Sequence, residues 1–198
     1  MAQHSQDEWN TRYRGTQRLF SSVPNQLLVE LTKGLASGSA VDLGAGEGRN
    51  SLWLASQGWD VTAVDLSDVA LERLRSYAEE QNLFLTTIVS DIETYLGQGY
   101  QFDLVVMAYI HVMPEERKRI FEAASAAVAP GGHLFIVGHH LDSLGKGGPP
   151  QPERLYTEDI FLDSLPGLEL LITESRQNSS SDLDLPLIDA LAWAYRNK

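Results

Sequence analysis

The stretch Val41-Asp42-Leu43-Gly44-Ala45-Gly46-Glu47-Gly48 decides the fold of this chain. It joins a short apolar run, predicted as the first strand, to a segment with the apolar spacing of a helix. Gly44 permits a sharp turn, Gly46 lets the backbone approach a ligand, and Gly48 allows the helix to pack closely on the strand. Such a turn is typical of a doubly wound α/β sheet, in which ligands bind beyond the carboxyl ends of the parallel strands. A tight turn without a ligand is the alternative.

Short apolar runs alternate with helical patterns along the rest of the chain. This alternation predicts βαβ units around a mostly parallel sheet with helices on both faces. We expect one domain over residues 1–198, because no linker or repeat interrupts that length. The predicted strands are Ala40–Leu43, Val61–Asp65, Leu83–Val89, Phe102–Ala108 and Leu134–Gly138, followed by Leu168–Glu174 and Leu187–Tyr195, which can pair antiparallel at one edge.

Proline and glycine mark the ends of the predicted helices. Pro24 is predicted to open the first helix, and Pro114 a later one that ends at Pro130-Gly131-Gly132. The loop Leu141–Pro152 is rich in glycine and proline, and we expect it to cover another part of the molecule.

Composition excludes several kinds of function. The 198 residues carry a net charge of −12, which repels nucleic acids and anionic membrane surfaces. There is no cysteine, so a disulfide framework, a cysteine nucleophile and Cys-ligated metals are excluded. No run approaches the roughly 18 apolar residues of a membrane span. We therefore expect a cytoplasmic protein that acts on a small molecule, and the oligomeric state stays open.

The carboxylates around the glycine turn indicate its ligand. The spacing is G-x-G-x-G, whereas dinucleotide-binding turns have G-x-G-x-x-G. Asp42 and Glu47 flank the place where a pyrophosphate would lie and would repel it, but they suit a ligand with ammonium and sulfonium groups. This pattern favours S-adenosylmethionine over a nicotinamide dinucleotide.

Two further aspartates follow predicted strands at the same edge of the sheet. Asp65 lies 17 residues after Gly48, where a carboxylate can accept hydrogen bonds from both ribose hydroxyls. Asp91-Ile92 follows the third strand, where a side chain and a backbone amide can reach the edge of an adenine. Helix capping is the alternative for both aspartates.

In their order along the chain, five stretches resemble the class I S-adenosylmethionine-dependent methyltransferases. They are Val41–Gly48, Val64-Asp65, Ser90-Asp91-Ile92, Phe102-Asp103-Leu104-Val105-Val106 and Pro130-Gly131-Gly132-His133-Leu134. The resemblance covers nearly the whole chain. It implies a Rossmann-like seven-stranded sheet in the order 3-2-1-4-5-7-6, with strand 7 antiparallel.

The same resemblance implies the roles of the cofactor residues. Asp42 and Gly44–Gly48 would hold the methionine end, Asp65 the ribose, and Asp91-Ile92 the adenine. No metal ligand is predicted. The predicted cofactor-binding residues are Trp9, Tyr13, Asp42, Gly44, Ala45, Gly46, Gly48, Asp65, Leu66, Asp91, Ile92 and Met107.

A narrower resemblance involves Trp9-Asn10-Thr11-Arg12-Tyr13-Arg14 together with Pro24-Asn25. These stretches are similar to small bacterial methyltransferases of the tellurite-resistance and thiopurine-methyltransferase type, whose N-terminal segment folds over the cofactor. The similarity implies a helical cap within residues 1–36. The alternative is an amphipathic helix that packs Trp9 and Tyr13 onto the sheet.

Candidate groups for the methyl acceptor must follow strands four and five. We predict Tyr109, His111 and His139 as catalytic residues. An imidazole, with an ordinary pKa of about 6.5, suits a general base, and His111 is the first candidate; a packing or hydrogen-bonded histidine is the alternative. No carboxylate is obviously placed to orient His111, although Asp103 or Asp142 can approach it in the fold. The sequence therefore slightly favours a thiol acceptor, which needs no base.

The other histidines receive different interpretations. A metal site shared by His111, His139 and His140 is disfavoured, because adjacent side chains point in different directions on an extended chain. His133 lies at the opposite strand end and is expected to be structural, and His4 is expected in a mobile terminus.

Three functions are compatible with these observations. A small-molecule methyltransferase is favoured, because the chain lacks the Asp/Asn-Pro-Pro-aromatic element of amino-directed DNA enzymes and the cysteine of cytosine-C5 enzymes. One alternative is a cofactor-binding protein without catalysis, whose Leu141–Pro152 loop contacts a partner. The other is a nicotinamide-dependent oxidoreductase on a related sheet.

Overall fold

A computed structural model describes residues 5–178 and 187–198 and shows one seven-stranded sheet among them. The strand order is β3-β2-β1-β4-β5-β7-β6, in which β7 runs antiparallel to both of its neighbours and the other pairs are parallel. This topology confirms the predicted fold. The strands are β1 (Ser39–Leu43), β2 (Asp60–Asp65), β3 (Thr86–Val89), β4 (Phe102–Ala108), β5 (Val128–His139), β6 (Glu169–Asn178) and β7 (Leu187–Tyr195).

The helices are α1 (Gln6–Arg14), α2 (Gln26–Thr32), α3 (Arg49–Ser56), α4 (Asp68–Glu80), α5 (Ile92–Leu96), α6 (Pro114–Ala126) and α7 (Asp159–Leu162). Two short 3₁₀ helices, Leu141–Ser143 and Pro152–Arg154, lie between β5 and α7. None of the helices in the described ranges combines the length and apolar character that a membrane crossing requires. The expectation about His4 falls outside the described residues.

The core lies on both faces of the central strands. One face packs against α5 and α6 through Tyr95 and Phe121, and the other against α2 and α3 through Leu28 and Leu54. Strands buried on both faces require apolar side chains at successive positions. For this reason β1 and β4 read as nearly continuous apolar runs in the sequence.

The first helix is not the predicted one. It begins at Gln6, because the side chains of Ser5 and Glu8 each accept a hydrogen bond from the other residue's backbone amide, in a capping box. The helix expected at Pro24 begins at Gln26, because the Asn25 side chain accepts hydrogen bonds from the amides of the next turn.

The predicted end of α6 is also wrong. The helix ends at Ala126, and Pro130-Gly131-Gly132 lies inside β5 instead of before it. Val128 pairs with Phe102, but the next paired residue of β5 is His133, so the proline–glycine stretch forms an irregularity in the strand. At the other sheet edge, β6 continues to Asn178, four residues beyond its predicted end.

Candidate functional site

The glycine loop, residues 44–48, connects β1 to α3 at the carboxyl edge of the sheet. Its three glycines have φ values of 69°, 56° and 80°, which favour glycine. The amides of Gly44 and Ala45 both donate to the carbonyl of Val64, so the loop is tied to β2. A Cβ at Gly48 would lie 2.1 Å from Cδ1 of Leu74. Gly48 therefore permits close packing of the glycine loop against α4, and its role in packing a helix on a strand stays a prediction.

Asp65 links the glycine loop to the start of α4. Its Oδ2 accepts a hydrogen bond from the Gly46 amide and its Oδ1 one from the Ser67 amide, both at 2.8 Å. Burial raises the pKa of Asp65, and these backbone hydrogen bonds oppose the rise. A carboxylate has about four acceptor positions, so Asp65 keeps capacity for hydroxyl donors of a ligand.

Asp42 is a buried carboxylate beneath the loop. It is 2% exposed, and the Ser51 hydroxyl donates to its Oδ2 at 2.6 Å. Burial raises its pKa to about 6, against the opposing effects of Ser51 and Arg49. A cationic group brought close to Asp42 would stabilise its ionised form.

Glu47 does not face the ligand side as the sequence suggested. Its Oε1 lies 2.8 Å from Nη1 of Arg73, and its Oε2 accepts hydrogen bonds from the amides of Leu19 and Phe20. The sequence interpretation was wrong for this carboxylate, because a cation from α4 and two backbone amides already surround it. Glu47 anchors the N-terminal segment, residues 5–20, to the glycine loop.

Further contacts hold the N-terminal segment over the carboxyl edge. Arg73 Nη2 donates to the carbonyls of Tyr13 and Thr16, each at 2.7 Å. The Asn10 amide group donates to Asp68 and accepts from the Ser67 hydroxyl, each at 2.6 Å. Tyr13 is buried, and its hydroxyl lies 2.8 Å from the position that a Cβ on Gly46 would take.

The remaining predicted cofactor residues lie around the same edge. Trp9 lies next to Tyr13, with tilted rings whose centroids are 6.0 Å apart, and the Arg12 guanidinium lies over the Trp9 ring. Asp91 caps α5 by accepting from the Thr94 amide. Of the other predicted residues, Leu66 follows Asp65 and Ile92 packs against the core. Met107 is buried and lies opposite Leu43 in the β1–β4 register.

Tyr109 lies at the end of β4, in the left-handed region with a φ of 62°. Its hydroxyl donates to Oδ2 of Asp189 at 2.6 Å and accepts from the side-chain amides of Asn25 and Asn178. Burial and the neighbouring Asp189 raise the pKa of Tyr109. The hydroxyl therefore stays protonated and serves as a donor.

His139 ends β5 and faces three aromatic or acidic neighbours. Its Nδ1 lies 2.9 Å from Oδ1 of Asp189. Its ring lies 4.8 Å from that of Tyr109 and stacks on that of His111 at 5.3 Å, measured between centroids. The loop Leu141–Pro152 packs on this histidine, since a Cβ at Gly148 would lie 2.6 Å from the ring.

Both ring nitrogens of His111 are occupied by backbone groups. Its Nδ1 donates to the Arg154 carbonyl at 3.0 Å, and its Nε2 accepts from the His139 amide at 3.3 Å. Burial lowers the pKa of His111 to about 4, against the opposing hydrogen bond to Arg154. This neutral ring has no free nitrogen for an acceptor proton, and neither Asp103 nor Asp142 orients it: they contact Ser39 and His140.

His140 points away from His111 and His139. Its Nε2 lies 3.3 Å from a carboxylate oxygen of Glu158, and its Nδ1 accepts from the Asp142 amide. Within residues 5–178 and 187–198, no three His, Asp or Glu side chains are grouped so as to hold a metal ion.

The profile of a family described as Methyltransferase domain matches residues 40–132, which contain the glycine loop, Asp65 and Asp91. Residues 40–132 carry a methyltransferase domain. This match confirms the predicted family, the S-adenosylmethionine-dependent methyltransferases of class I, and with it the cofactor.

Curated methyltransferases match parts of the chain. Over 149 residues it is 26% identical to the 2-heptyl-1-hydroxyquinolin-4(1H)-one methyltransferase of Mycobacteroides abscessus. The matched residues make up 69% of this chain and 66% of that protein. It is 29% identical over 111 residues to a probable S-adenosyl-L-methionine-dependent methyltransferase, TehB, of Haemophilus influenzae, 56% of this chain and 39% of that protein. The matched region thus spans less than two thirds of these relatives.

Solved structures share the fold over almost the whole chain. One comes from work on the conversion of a disulfide bond into a thioacetal group during echinomycin biosynthesis; it has a TM-score of 0.83 and covers 98% of this chain and 92% of that chain. The structure of TehB from Haemophilus influenzae has a TM-score of 0.72 and covers 97% and 67%. Both are 22% identical to this chain and show its fold.

Three residues of this candidate site were missed by the sequence reasoning. Asp189 contacts two of the predicted catalytic residues, Asn178 donates to Asp189 at 2.8 Å, and Arg73 fixes the N-terminal segment. In the sequence, Asp189 stands out as an aspartate within the apolar run of β7. Asn178 and Arg73 do not stand out, because they lie among many polar residues.

Proposed function

We propose that this chain transfers a methyl group from S-adenosylmethionine to a small-molecule acceptor. The observation that carries the proposal is the arrangement of the carboxyl edge. The glycine loop, Asp42 and Asp65 lie at the ends of β1 and β2, and Tyr109 and His139 lie at the ends of the neighbouring β4 and β5. Such an edge is where open α/β sheets bind their ligands.

The residues present suit S-adenosylmethionine, which supplies a methyl group bound to a sulfonium. The buried carboxylates Asp42 and Asp65 at this edge suit a ligand that carries positive charge. Asp42, whose burial penalises its charge, would gain a cationic neighbour in the ammonium group. Asp65 would accept from the ribose hydroxyls, and Asp91-Ile92 would face the adenine.

The acceptor is proposed to be small. The net charge of −12 disfavours a nucleic acid or an anionic membrane as substrate. The names of two relatives, the hydroxyquinolone methyltransferase and the ubiquinone biosynthesis O-methyltransferase of Coxiella burnetii, denote acceptors that are small organic molecules. A hydroxyl group on such a molecule is therefore the first acceptor to test.

We also propose that residues 1–198 act as one domain in which the cap within residues 1–36 closes over the bound cofactor. The hydrogen bonds of Arg73 and Glu47 to the N-terminal segment support this arrangement. Closure over the cofactor would exclude water, as lids commonly do. Amide hydrogen exchange of residues 5–20 should slow when S-adenosylhomocysteine binds, and equal exchange with and without it would contradict the cap.

Calorimetric titration tests the cofactor part of the proposal. S-adenosylhomocysteine should bind the wild type, and NADH should not. Asp65→Ala should weaken S-adenosylhomocysteine binding about ten- to a hundredfold, because charge-assisted hydrogen bonds are lost. The matched control is Asp60→Ala at the opposite, exposed end of β2, which should bind normally. Equal binding by the two variants, or preference for NADH, would refute the proposed cofactor role.

A further inference from the structure

Asp189 is a buried residue of β7, and hydrogen-bond donors from the two neighbouring strands, β5 and β6, meet at its side chain. It is 2% exposed and lies directly opposite His139 in the antiparallel β5–β7 register. Its Oδ1 faces Nδ1 of His139 at 2.9 Å, and its Oδ2 accepts from the Tyr109 hydroxyl and from the Asn178 amide. Both carboxylate oxygens are therefore held in place.

This contact fixes the orientation of the His139 ring. A carboxylate accepts a hydrogen bond from Nδ1–H, and the lone pair of a neutral imidazole is then on Nε2. Within the described part of the chain, the Nδ1 contact and the ring contacts are the interactions of the His139 side chain, and Nε2 makes no hydrogen bond. The side chain is 16% exposed, so a ligand can reach it.

The other titratable and charged groups around His139 are committed elsewhere. His111 uses both nitrogens for backbone groups, and the Tyr109 hydroxyl donates to Asp189. Arg49 lies over the Tyr109 ring, and Arg176, opposite Asp189 on β6, pairs with Glu30 and Glu174. His139 is the group at this site with a free basic nitrogen.

We propose that His139 is the general base for the methyl acceptor and that Asp189 is the residue that positions it. This inference rests on the proposed function. Nε2 of His139 takes the proton of the acceptor O–H, and the oxygen lone pair forms the new bond to the methyl carbon. The carbon–sulfur bond breaks and its electron pair stays on sulfur. The products are the methyl ether and S-adenosylhomocysteine, and the His139 imidazolium returns its proton to water.

A base of this kind identifies the class of acceptor. A thiolate or an already ionised phenolate transfers no proton and needs no base. An oriented histidine accelerates only acceptors that are still protonated at the working pH, such as a weakly acidic aromatic hydroxyl. The structure thus reverses the slight preference for a thiol, because the orienting carboxylate exists but belongs to His139 and not to His111.

Acceptors of graded acidity separate a base from a structural histidine. We would measure transfer of labelled methyl groups to phenol, which is protonated at pH 7.5, and to 4-nitrophenol and thiophenol, which are largely ionised there. His139→Gln should lower the rate with phenol about 10²–10⁴-fold and the rates with the ionised acceptors less than tenfold. Asp189→Asn should show the same selectivity with a smaller loss. His133→Gln, the same change six residues earlier in β5, should leave all rates unchanged.

A second measurement needs no acceptor. Nitrogen-15 NMR of histidine-labelled protein should show His139 with its proton on Nδ1, and Asp189→Asn should shift the Nδ1 resonance. An Nε2-protonated ring in the wild type would overturn the assignment of the base. Equal losses with phenol and 4-nitrophenol, or methylation of thiophenol alone, would overturn it too. Failure of every transfer reaction with this tautomer present would refute the proposed function and leave the His139–Asp189 geometry standing.

Discussion

The Glu47 carboxylate and the Arg73 guanidinium form an ion pair of 2.8 Å that joins the glycine loop to the N-terminal segment. The Glu47 side chain is 3% exposed and that of Arg73 23%. Each partner also bonds the backbone of residues 13–20. Two charges that are at least eleven residues from the cap in sequence thus decide where the cap lies.

Arg73→Met should destabilise the fold by about 2–4 kcal/mol, because it leaves the buried Glu47 without its cation. Amide exchange in residues 5–20 should accelerate at the same time. Urea unfolding and hydrogen exchange measure the two effects. Arg119→Met is the matched control, because the Arg119–Glu93 pair of 2.7 Å is exposed and contributes little. Equal effects of both variants would show that the Glu47–Arg73 pair does not hold the cap.

Gly46→Ala should impair both stability and cofactor binding. Its positive φ disfavours a side chain by about 1–2 kcal/mol, and the new Cβ would lie 2.8 Å from the Tyr13 hydroxyl. Gly34→Ala carries the same backbone strain, at a φ of 88°, but no atom lies within 4 Å of the added Cβ. S-adenosylhomocysteine affinity should fall in Gly46→Ala only, and Tyr13→Phe should restore part of the lost stability. Normal binding by Gly46→Ala would remove the glycine loop from the site.

Asp42→Asn should stabilise the protein at pH 7 and have little effect at pH 4. Burial raises the folded-state pKa of Asp42 to about 6, whereas the unfolded value is about 3.9. The folded state therefore holds the extra proton between these values, and stability falls as the pH rises from 4 to 6. The loss of stability across this pH range amounts to about 3 kcal/mol. Unfolding of wild type and variant across this range checks it; Asp60→Asn, on the exposed end of β2, is the control.

His111 should make the stability of the protein depend on pH in the opposite direction. Its folded-state pKa, lowered to about 4 by burial, lies below the unfolded value of about 6.5. The unfolded state binds the proton first, so stability is lost as the pH falls from 6.5 to 4, by up to about 3 kcal/mol. His111→Leu should abolish this slope and cost about 2–4 kcal/mol at pH 7, because the Arg154 carbonyl and the His139 amide lose their partner. A variant that keeps the wild-type slope would assign it to another group.

The sequence by itself determined the sheet, the glycine loop and the positions of Asp42, Asp65 and Asp91. These features are readable because they are local. Parallel strands that are buried on both faces need nearly unbroken apolar runs, and positive φ values favour glycine. The three carboxylates lie at or close to the carboxyl ends of their strands. The cap of α5 at Asp91, one of the two interpretations of that residue in the sequence, was readable for the same reason.

Only the tertiary structure decided which side chains meet. Asp189 reaches His139 across 50 residues of sequence through the β5–β7 register, and a slip of one residue would turn it to the other face of the sheet. Likewise, Glu47 faces Arg73 because of how α4 packs on the glycine loop, although its sequence position suggested a ligand contact. Strand register and helix packing depend on the whole core, so no local pattern contains them.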